Sequence, residues 1–247
     1  MKIKLLNVKN KPGNIKGYIF DYGATLDTPG HHWGKILWHN YEKAKVPVSE
    51  EQFREAYVHA ERTLGKENII SADTTFRDTL DIKIKMQLDY LADHDMLKGE
   101  EVLRVKEYHE AILHDSYLQT LRTIEHSKEV LKHLQDNGYP MVLVSNFYGN
   151  VETVLREMGL DSFFTKVIES AQVGIRKPDP RIYALGVEAL NLPAEQILVV
   201  GDGFDKDILP AQSLGCKTAW IKGEAWKNVD WDETIPDMII SDISEIL

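Results

Sequence analysis

Hydrophobic and polar positions fall into two rhythms along the chain. Gly17 to Tyr22 is a short apolar and aromatic run broken only by Asp21, and it predicts a buried strand whose end carries a carboxylate. Before it, Ile3 and Leu5 alternate with Lys2 and Lys4, a pattern for a short edge strand or an ordered tail ahead of the Pro12-Gly13-Asn14 turn. After Leu26 the spacing becomes helical. Trp33, Ile36, Leu37, Asn40, Tyr41 and Ala44 mark one helix, which Pro47 ends. Ser49 with Gln52 forms a capping box for a second helix, followed by Phe53, Ala56, Tyr57, Ala60 and Leu64. Phe76, Leu80, Ile84, Leu88 and Leu91 mark a third, and Val102, Val105, Tyr108 and Ile112 a fourth.

From Ile124 onward helices and strands alternate. A helix over Lys128 to Asn137 stops at Gly138, and strand Met141 to Val144 follows. A helix through Val151, Val154, Leu155 and Met158 ends at Gly159, before a strand around Lys166 to Ile168. Pro180 opens the next helix, as suits the first helical turn. Strand Ile197 to Val200, a helix through Ile208, Ala211 and Leu214, strand Lys217 to Ile221 and a peripheral strand Met238 to Ile240 complete the series. Short apolar strands alternating with amphipathic helices predict an α/β fold, a doubly wound, Rossmann-like parallel sheet covered on both faces. The expected organisation is a core of residues 1–27 and 122–247, interrupted after its first strand by an α-helical bundle, residues 28–121.

Composition narrows the partners. Of the 247 residues 43% are hydrophobic, enough for a sizeable core. The formal net charge of −10 argues against nucleic acid and anionic membranes, which need a basic surface. The single Cys216 excludes an internal disulfide and suits a reducing compartment. No apolar run approaches a membrane span, and Met1-Lys2-Ile3-Lys4-Leu5-Leu6 lacks the apolar centre of a signal peptide, so a cytoplasmic location is expected.

Chemistry collects at the strand ends. Asp21 ends the first strand, Ser145-Asn146 the second and Gly201-Asp202 the fourth, and Lys177 lies in the loop after the third. In a parallel sheet these ends share one edge, where ligands bind. Asp21 and Asp202 on adjacent strands repel unless a cation lies between them, and Asp207 in the next helical turn can face back towards them. Two or three carboxylates with a backbone carbonyl make an oxygen shell suited to Mg²⁺. Asp21 can then serve as both ligand and nucleophile. Ser145 can donate to a phosphoryl oxygen, and Lys177 can hold the nucleophile and offset charge on the transferring group. The set describes a phosphoryl-transfer site.

Four motifs in this order resemble the haloacid dehalogenase superfamily, in the branch with a helical cap after the first strand. They are Phe20-Asp21-Tyr22-Gly23-Ala24-Thr25-Leu26, Val144-Ser145-Asn146, Arg176-Lys177-Pro178-Asp179-Pro180 with Ile182-Tyr183, and Gly201-Asp202 with Asp207. The resemblance implies a Mg²⁺-dependent hydrolase, usually a phosphatase of a small phosphorylated metabolite, working through an aspartyl-phosphate on Asp21. It implies Ser145, Asn146 and Lys177 as substrate contacts, with Asp21, the Gly23 carbonyl, Asp202 and Asp207 as the metal set. It also implies a mobile cap that closes over the substrate.

Gly23 departs from the pattern, because phosphatases of the family usually carry there a second aspartate that moves the leaving-group proton. Three readings stay open: a substrate with a good leaving group such as an acyl phosphate, a substitute side chain such as His31 or His32, or a slow or inactive protein that keeps the phosphate and metal site. Metal-free dehalogenases and phosphonate-cleaving relatives also lack that aspartate. The former leave Asp202 and Asp207 without a cation, and the latter need a cap lysine, for which Lys35, Lys43, Lys45 and Lys66 are available.

Simpler roles suit the remaining residues. Asp179 and Asp205 read as structural, and His31 and His32 as helix-start residues. Trp33, Trp38 and Tyr41 read as packing within the helical bundle. Trp226 and Trp231 are expected to cover the far side of the core, and Cys216 to be a small buried apolar residue at a strand start.

Overall fold

Runs of four or five apolar residues have no polar face to give to water, so each must be covered on both sides. In the computed structural model, which describes residues 12–247, they form one parallel sheet. Its strands are β1 (Gly17–Phe20), β2 (Met141–Ser145), β3 (Lys166–Glu169), β4 (Ile197–Gly201), β5 (Lys217–Ile221) and β6 (Met238–Ile240), in the order β3-β2-β1-β4-β5-β6. The proposed strand around Ile3 and Leu5 lies outside the described residues. Side chains alternate between the two faces with the period of two that a strand imposes. Tyr18, Phe20, Met141, Leu143, Leu198 and Val200 join one hydrophobic cluster, while Ile19, Val142, Val144, Ile197 and Val199 join another. β1 is central, pairing with β2 on one side and β4 on the other, in register Phe20 with Leu143 and Phe20 with Val200. The strand order reverses direction between β1 and β4, which opens a crevice beyond their carboxyl ends.

Between β1 and β2 the chain forms α1 (Trp33–Lys43), α2 (Glu50–Leu64), α3 (Phe76–Asp93), α4 (Glu100–Leu103) and α5 (Val105–Asp136). Then come α6 (Val151–Met158), α7 (Ser170–Val173), α8 (Arg181–Leu190) and α9 (Leu209–Ser213). The capping box of Ser49 and Gln52 is present, and α6 ends on Gly159 in the left-handed region at φ 64°. The inserted helices share a hydrophobic cluster with one face of the sheet, through Leu37, Tyr41, Phe53, Leu80, Ile84 and Leu88. Cys216 is buried just before β5, as expected.

Three local expectations need revision. Val102 of the expected fourth helix falls in α4, while Val105, Tyr108 and Ile112 and the helix expected over 128–137 belong to α5, a single 32-residue helix about 48 Å long. No proline or glycine interrupts it, and its buried stripe passes through Ser116, Thr120 and Ser127. Those small polar residues weaken the apolar period, although Ser116 accepts from Asn40 (2.8 Å) and Ser127 donates to the Leu26 carbonyl (2.8 Å). The boundary drawn at residue 121 therefore falls inside a helix. β1 also stops at Phe20, because the chain turns at Tyr22, whose carbonyl accepts from Thr25 and Leu26. The helix expected through Leu214 is divided: Phe204–Ile208 form a π-helical turn that leads into α9.

Candidate active site

Asp21 follows β1 and Asp202 follows β4, so the two strands that flank the crevice deliver adjacent carboxylates. The π-helical turn after β4 brings Asp207 back to them. One carboxylate oxygen from each of Asp21, Asp202 and Asp207 lies within 4.8 Å of the others. This return depends on Gly201, since a Cβ there would lie 2.6 Å from the Cβ and carboxyl carbon of Asp207. Lys177, in the loop between α7 and α8, points its ammonium between two of the acids, 2.6 Å from Asp21 Oδ1 and 2.7 Å from Asp207 Oδ1.

Charge in this cluster is unbalanced. Burial raises the Asp21 carboxyl to about 6; Lys177 pulls it down and Asp207 pushes it up. Asp202 is held well above the usual carboxylate range, again by burial first and then by the charges of Asp207 and Asp21. Burial alone would lower Lys177, but Asp207 and Asp21 outweigh it and keep the ammonium charged. The Asp202 backbone is fixed, with its N–H donating to Thr25 Oγ1 (3.1 Å) and its carbonyl accepting from Trp220 Nε1 (2.8 Å). Its carboxylate accepts no hydrogen bond and makes no ion pair among the described residues. Three acids face one lysine, an all-oxygen donor set with room for two positive charges, which fits a hard divalent cation.

The remaining expected residues have different fates. Ser145 ends β2 and is buried at the sheet edge. Asn146 exchanges two hydrogen bonds with the Lys177 backbone, donating to its carbonyl (3.1 Å) and accepting from its N–H (3.0 Å). Its amide therefore holds the Lys177 loop, where a substrate contact had been expected. Gly23 lies in the turn after Asp21, and no described group donates to its carbonyl. His31 Nδ1 accepts from the Glu224 N–H (3.0 Å), and His32 Nδ1 from the Gly34 N–H (3.0 Å), so both rings are tied to backbone. Burial, with Lys206 next, lowers His32 to about 4, which leaves it neutral at pH 7 and unable to act as a general acid there.

Several functional neighbours carry no signal of their own in the chain. Thr25 Oγ1 donates to Asp21 Oδ2 (3.1 Å) while accepting from Asp202, so one hydroxyl ties both strand ends. Tyr183 donates to Asp207 Oδ1 (2.6 Å). Both lie in motifs already quoted, and their type, a hydroxyl beside carboxylates, was the available clue. Asp27 had none. It is buried, accepting from the Ala24 N–H (2.7 Å) and from Trp33 Nε1 (2.8 Å), and burial lifts it to about 7 against those two donors.

The helical insert also differs from expectation. Lys35 and Lys43 are ion-paired with Glu50 (2.6 Å) and Asp115 (2.9 Å). Lys83, largely covered within the insert, lies 2.7 Å from Glu61, which also accepts from Tyr148 (2.8 Å). Burial would lower Lys83, but Glu61 and the tyrosines beside it hold it well above its ordinary value, the opposite of what an imine-forming amine requires. Trp226 is not on the far side of the core. It stacks on His32 (5.2 Å), tilts against Tyr57 (4.8 Å), lies under Arg54 (4.1 Å) and so closely covers Gly34 that a Cβ there would lie 2.3 Å from the indole. Trp231 packs on Phe204 (4.7 Å), beside the turn that carries Asp207.

A doubly wound sheet with three carboxylates and a lysine at its switch point defines the class of protein. Residues 15–215 match haloacid dehalogenase-like hydrolases, and the chain belongs to that family. A glyceraldehyde 3-phosphate phosphatase of Pyrococcus abyssi is 34% identical over 113 residues, covering 44% of this chain and 46% of the relative. The chain thus spans about half the length of the curated relatives it matches. The hydrolase YfnB of Bacillus subtilis, solved with bound magnesium, superimposes with a TM-score of 0.57 at 18% identity, covering 94% of this chain and 97% of that one. A dehalogenase superimposes equally well, with a TM-score of 0.58 at 17% identity over 95% and 96% of the two chains. Backbone similarity of this kind establishes the fold and leaves the reaction to the site.

Proposed function

We propose that the protein is a Mg²⁺-dependent phosphohydrolase of a small phosphorylated metabolite, with Asp21 as nucleophile. The observation that carries this reading is the charge count: among the described residues Lys177 is the cation ion-paired within the cluster of Asp21, Asp202 and Asp207, and the Asp202 carboxylate makes no hydrogen bond or ion pair. Asp21, Asp202, Asp207 and the Gly23 carbonyl would hold the metal, which when bound draws negative charge from the phosphoryl oxygens. The phosphatase name of the Pyrococcus relative supports the same reaction class. A metal-free dehalogenase would leave that charge uncompensated.

An Asp21 oxygen attacks phosphorus in line with the leaving oxygen, forming the Asp21 O–P bond as the substrate P–O bond breaks. Water then attacks the aspartyl-phosphate, releasing inorganic phosphate and restoring the carboxylate. Lys177 fixes the attacking carboxylate and offsets charge on the moving group, while Asn146 holds the Lys177 loop in place. Ser145 donates to a phosphoryl oxygen. Since the Gly23 side chain carries no proton and His32 is neutral at pH 7, the favoured substrates have leaving groups that depart unprotonated, such as acyl phosphates. Residues 28–121 act as a cap over the strand ends, and the single buried Cys216 supports a cytoplasmic setting.

The test is release of phosphate from acetyl phosphate and an aryl phosphate with and without Mg²⁺. Release that needs Mg²⁺ and vanishes in Asp21→Asn supports the reading. Absence of turnover on acyl, aryl and sugar phosphates at high enzyme concentration overturns it. A second reading, a phosphate- and metal-binding protein without turnover, is favoured by Gly23 itself. It requires that Mg²⁺ with a phosphate analogue raise the melting temperature while no phosphate is released.

A further inference from the structure

β2 ends at Ser145 and α6 begins at Val151, so residues 146–150 cross the edge of the sheet between them. This crossing is fixed on the core at both ends. Ser145 pairs in register with Glu169 of β3, and the buried Glu169 carboxylate accepts from the Gly149 N–H (2.5 Å). Asn146 holds the Lys177 backbone, and the Phe147 ring meets Tyr22, the neighbour of Asp21, edge-on at 5.8 Å. Tyr148, between these anchors, reaches out to the insert.

Its hydroxyl donates to Glu61 Oε2 on α2 (2.8 Å), and the other oxygen of that carboxylate lies 2.7 Å from the Lys83 ammonium on α3. Lys83 also lies over the Tyr148 ring, 5.3 Å from its centre. The Lys83 side chain is only 12% exposed, so the pair is partly shielded from water, and the hydrogen bond from Tyr148 is charge-assisted. The ion pair lies wholly within the insert, and Tyr148 is the member that belongs to the core. Lifting the insert would break the tyrosine contacts and leave Glu61 with its cation. No charge would be stranded, so the contact can open at a lower cost than one whose rupture bares a buried charge.

We propose that Tyr148 is a positioning residue for the phosphate site: docked on Glu61 and Lys83, it holds the crossing that begins at Ser145 and Asn146 in its phosphate-binding geometry, and so couples the seating of the insert to occupancy of the site. The proposal rests on the phosphohydrolase reading, which sets Ser145 against a phosphoryl oxygen, and adds to it one residue of a core loop and two of the insert. Coupling of this kind is reciprocal. Whatever the docked tyrosine adds to phosphate affinity, bound phosphate adds to the docking.

Tyr148→Phe removes the hydroxyl and keeps the ring beside Phe147 and under Lys83. In the full chain with Mg²⁺, calorimetry with inorganic phosphate should show binding weakened at least about fivefold, less than the whole effect of one hydrogen bond to a charged group. Glu61→Ala should weaken it to a similar degree and the double variant no further, because both act through one contact. Glu61→Gln, which keeps an acceptor for the hydroxyl, should retain most of the affinity. Inorganic phosphate should also slow hydrogen exchange over residues 50–64 and 76–93 in the wild-type protein and not in Tyr148→Phe. Unchanged affinity in Tyr148→Phe, additive losses in the double variant or an equal exchange effect in both proteins overturns the proposal, as does failure of the wild-type protein to bind phosphate. If the wild-type protein shows the coupling but releases no phosphate from any ester, the coupling stands and the hydrolase reading falls.

Discussion

Gly23 sits two residues after the nucleophile position, and nothing in the packing requires it to be glycine. A Cβ there would meet nothing within 4 Å, and its backbone is not in the left-handed region. Gly23→Asp is therefore expected to fold normally and to raise turnover of an aryl phosphate at least about tenfold, the lower part of the range for general acid–base catalysis. Phosphate release under saturating Mg²⁺ measures it; an unchanged or slower rate would show that the proton comes from elsewhere. Acidity at the cluster gives a second expectation. Asp21 is raised to about 6 and Asp202 well above its ordinary value. Between the unfolded carboxylate range, about 3.9, and these raised values the folded protein holds the extra protons, so their contribution to stability falls as pH rises. Mg²⁺ competes for the same oxygens and gains as protons leave. The rise in melting temperature on adding Mg²⁺ should grow from pH 5.5 to pH 7.5 and disappear in Asp207→Asn. A rise independent of pH would place the metal elsewhere.

Helix α3 shows how the insert is attached at the level of elements. Its first N–H groups have no partners within the helix. Glu157 on α6 receives the Phe76 N–H and the Arg77 N–H, and also the Tyr117 hydroxyl from α5 (2.9 Å). Asn150, just before α6, donates to the Thr74 carbonyl (2.8 Å) and to Thr79 Oγ1 (3.0 Å). One carboxylate thus joins three helices. Glu157→Ala should cost about 1–3 kcal/mol, because it leaves partly buried donors unpaired. Urea unfolding followed by circular dichroism checks this, and a loss below about 0.5 kcal/mol would mean that water replaces the carboxylate without penalty. α5 adds a covalent tie, since one helix runs from the insert into the covering of the sheet. Its sequence conceals this, because Ser116, Thr120 and Ser127 occupy buried positions where an apolar stripe would be expected.

On the scale of the whole molecule, Trp226 closes the other side of the insert. The loop after β5 meets the start of α1 through His31 and His32, whose contacts with Glu224 run in both directions. Trp226 then covers Gly34, His32 and Tyr57. Removing the indole should loosen the insert and leave the sheet intact. Trp226→Ala is expected to speed hydrogen exchange several-fold over residues 31–43 and 50–64, with β1 and β4 unchanged. Uniform acceleration across the chain would indicate a loss of global stability and would remove Trp226 as a specific tie.

What the sequence determined by itself is local. Periods of two and of about 3.6 located the strands and helices, because apolar spacing reflects the geometry of each element. Asp21, Asp202, Asp207 and Lys177 could be anticipated at one edge, because the ends of parallel strands share an edge whatever the detailed packing. Tertiary structure alone decided the contacts that link distant segments. The Asn146 amide is spent on the Lys177 backbone, Tyr183 binds Asp207, and Trp226 joins the loop after β5 to Arg54, 172 positions away. These contacts have no period and leave no motif of their own, since they depend on which side chains the folded backbone brings within hydrogen-bond or ring-packing distance.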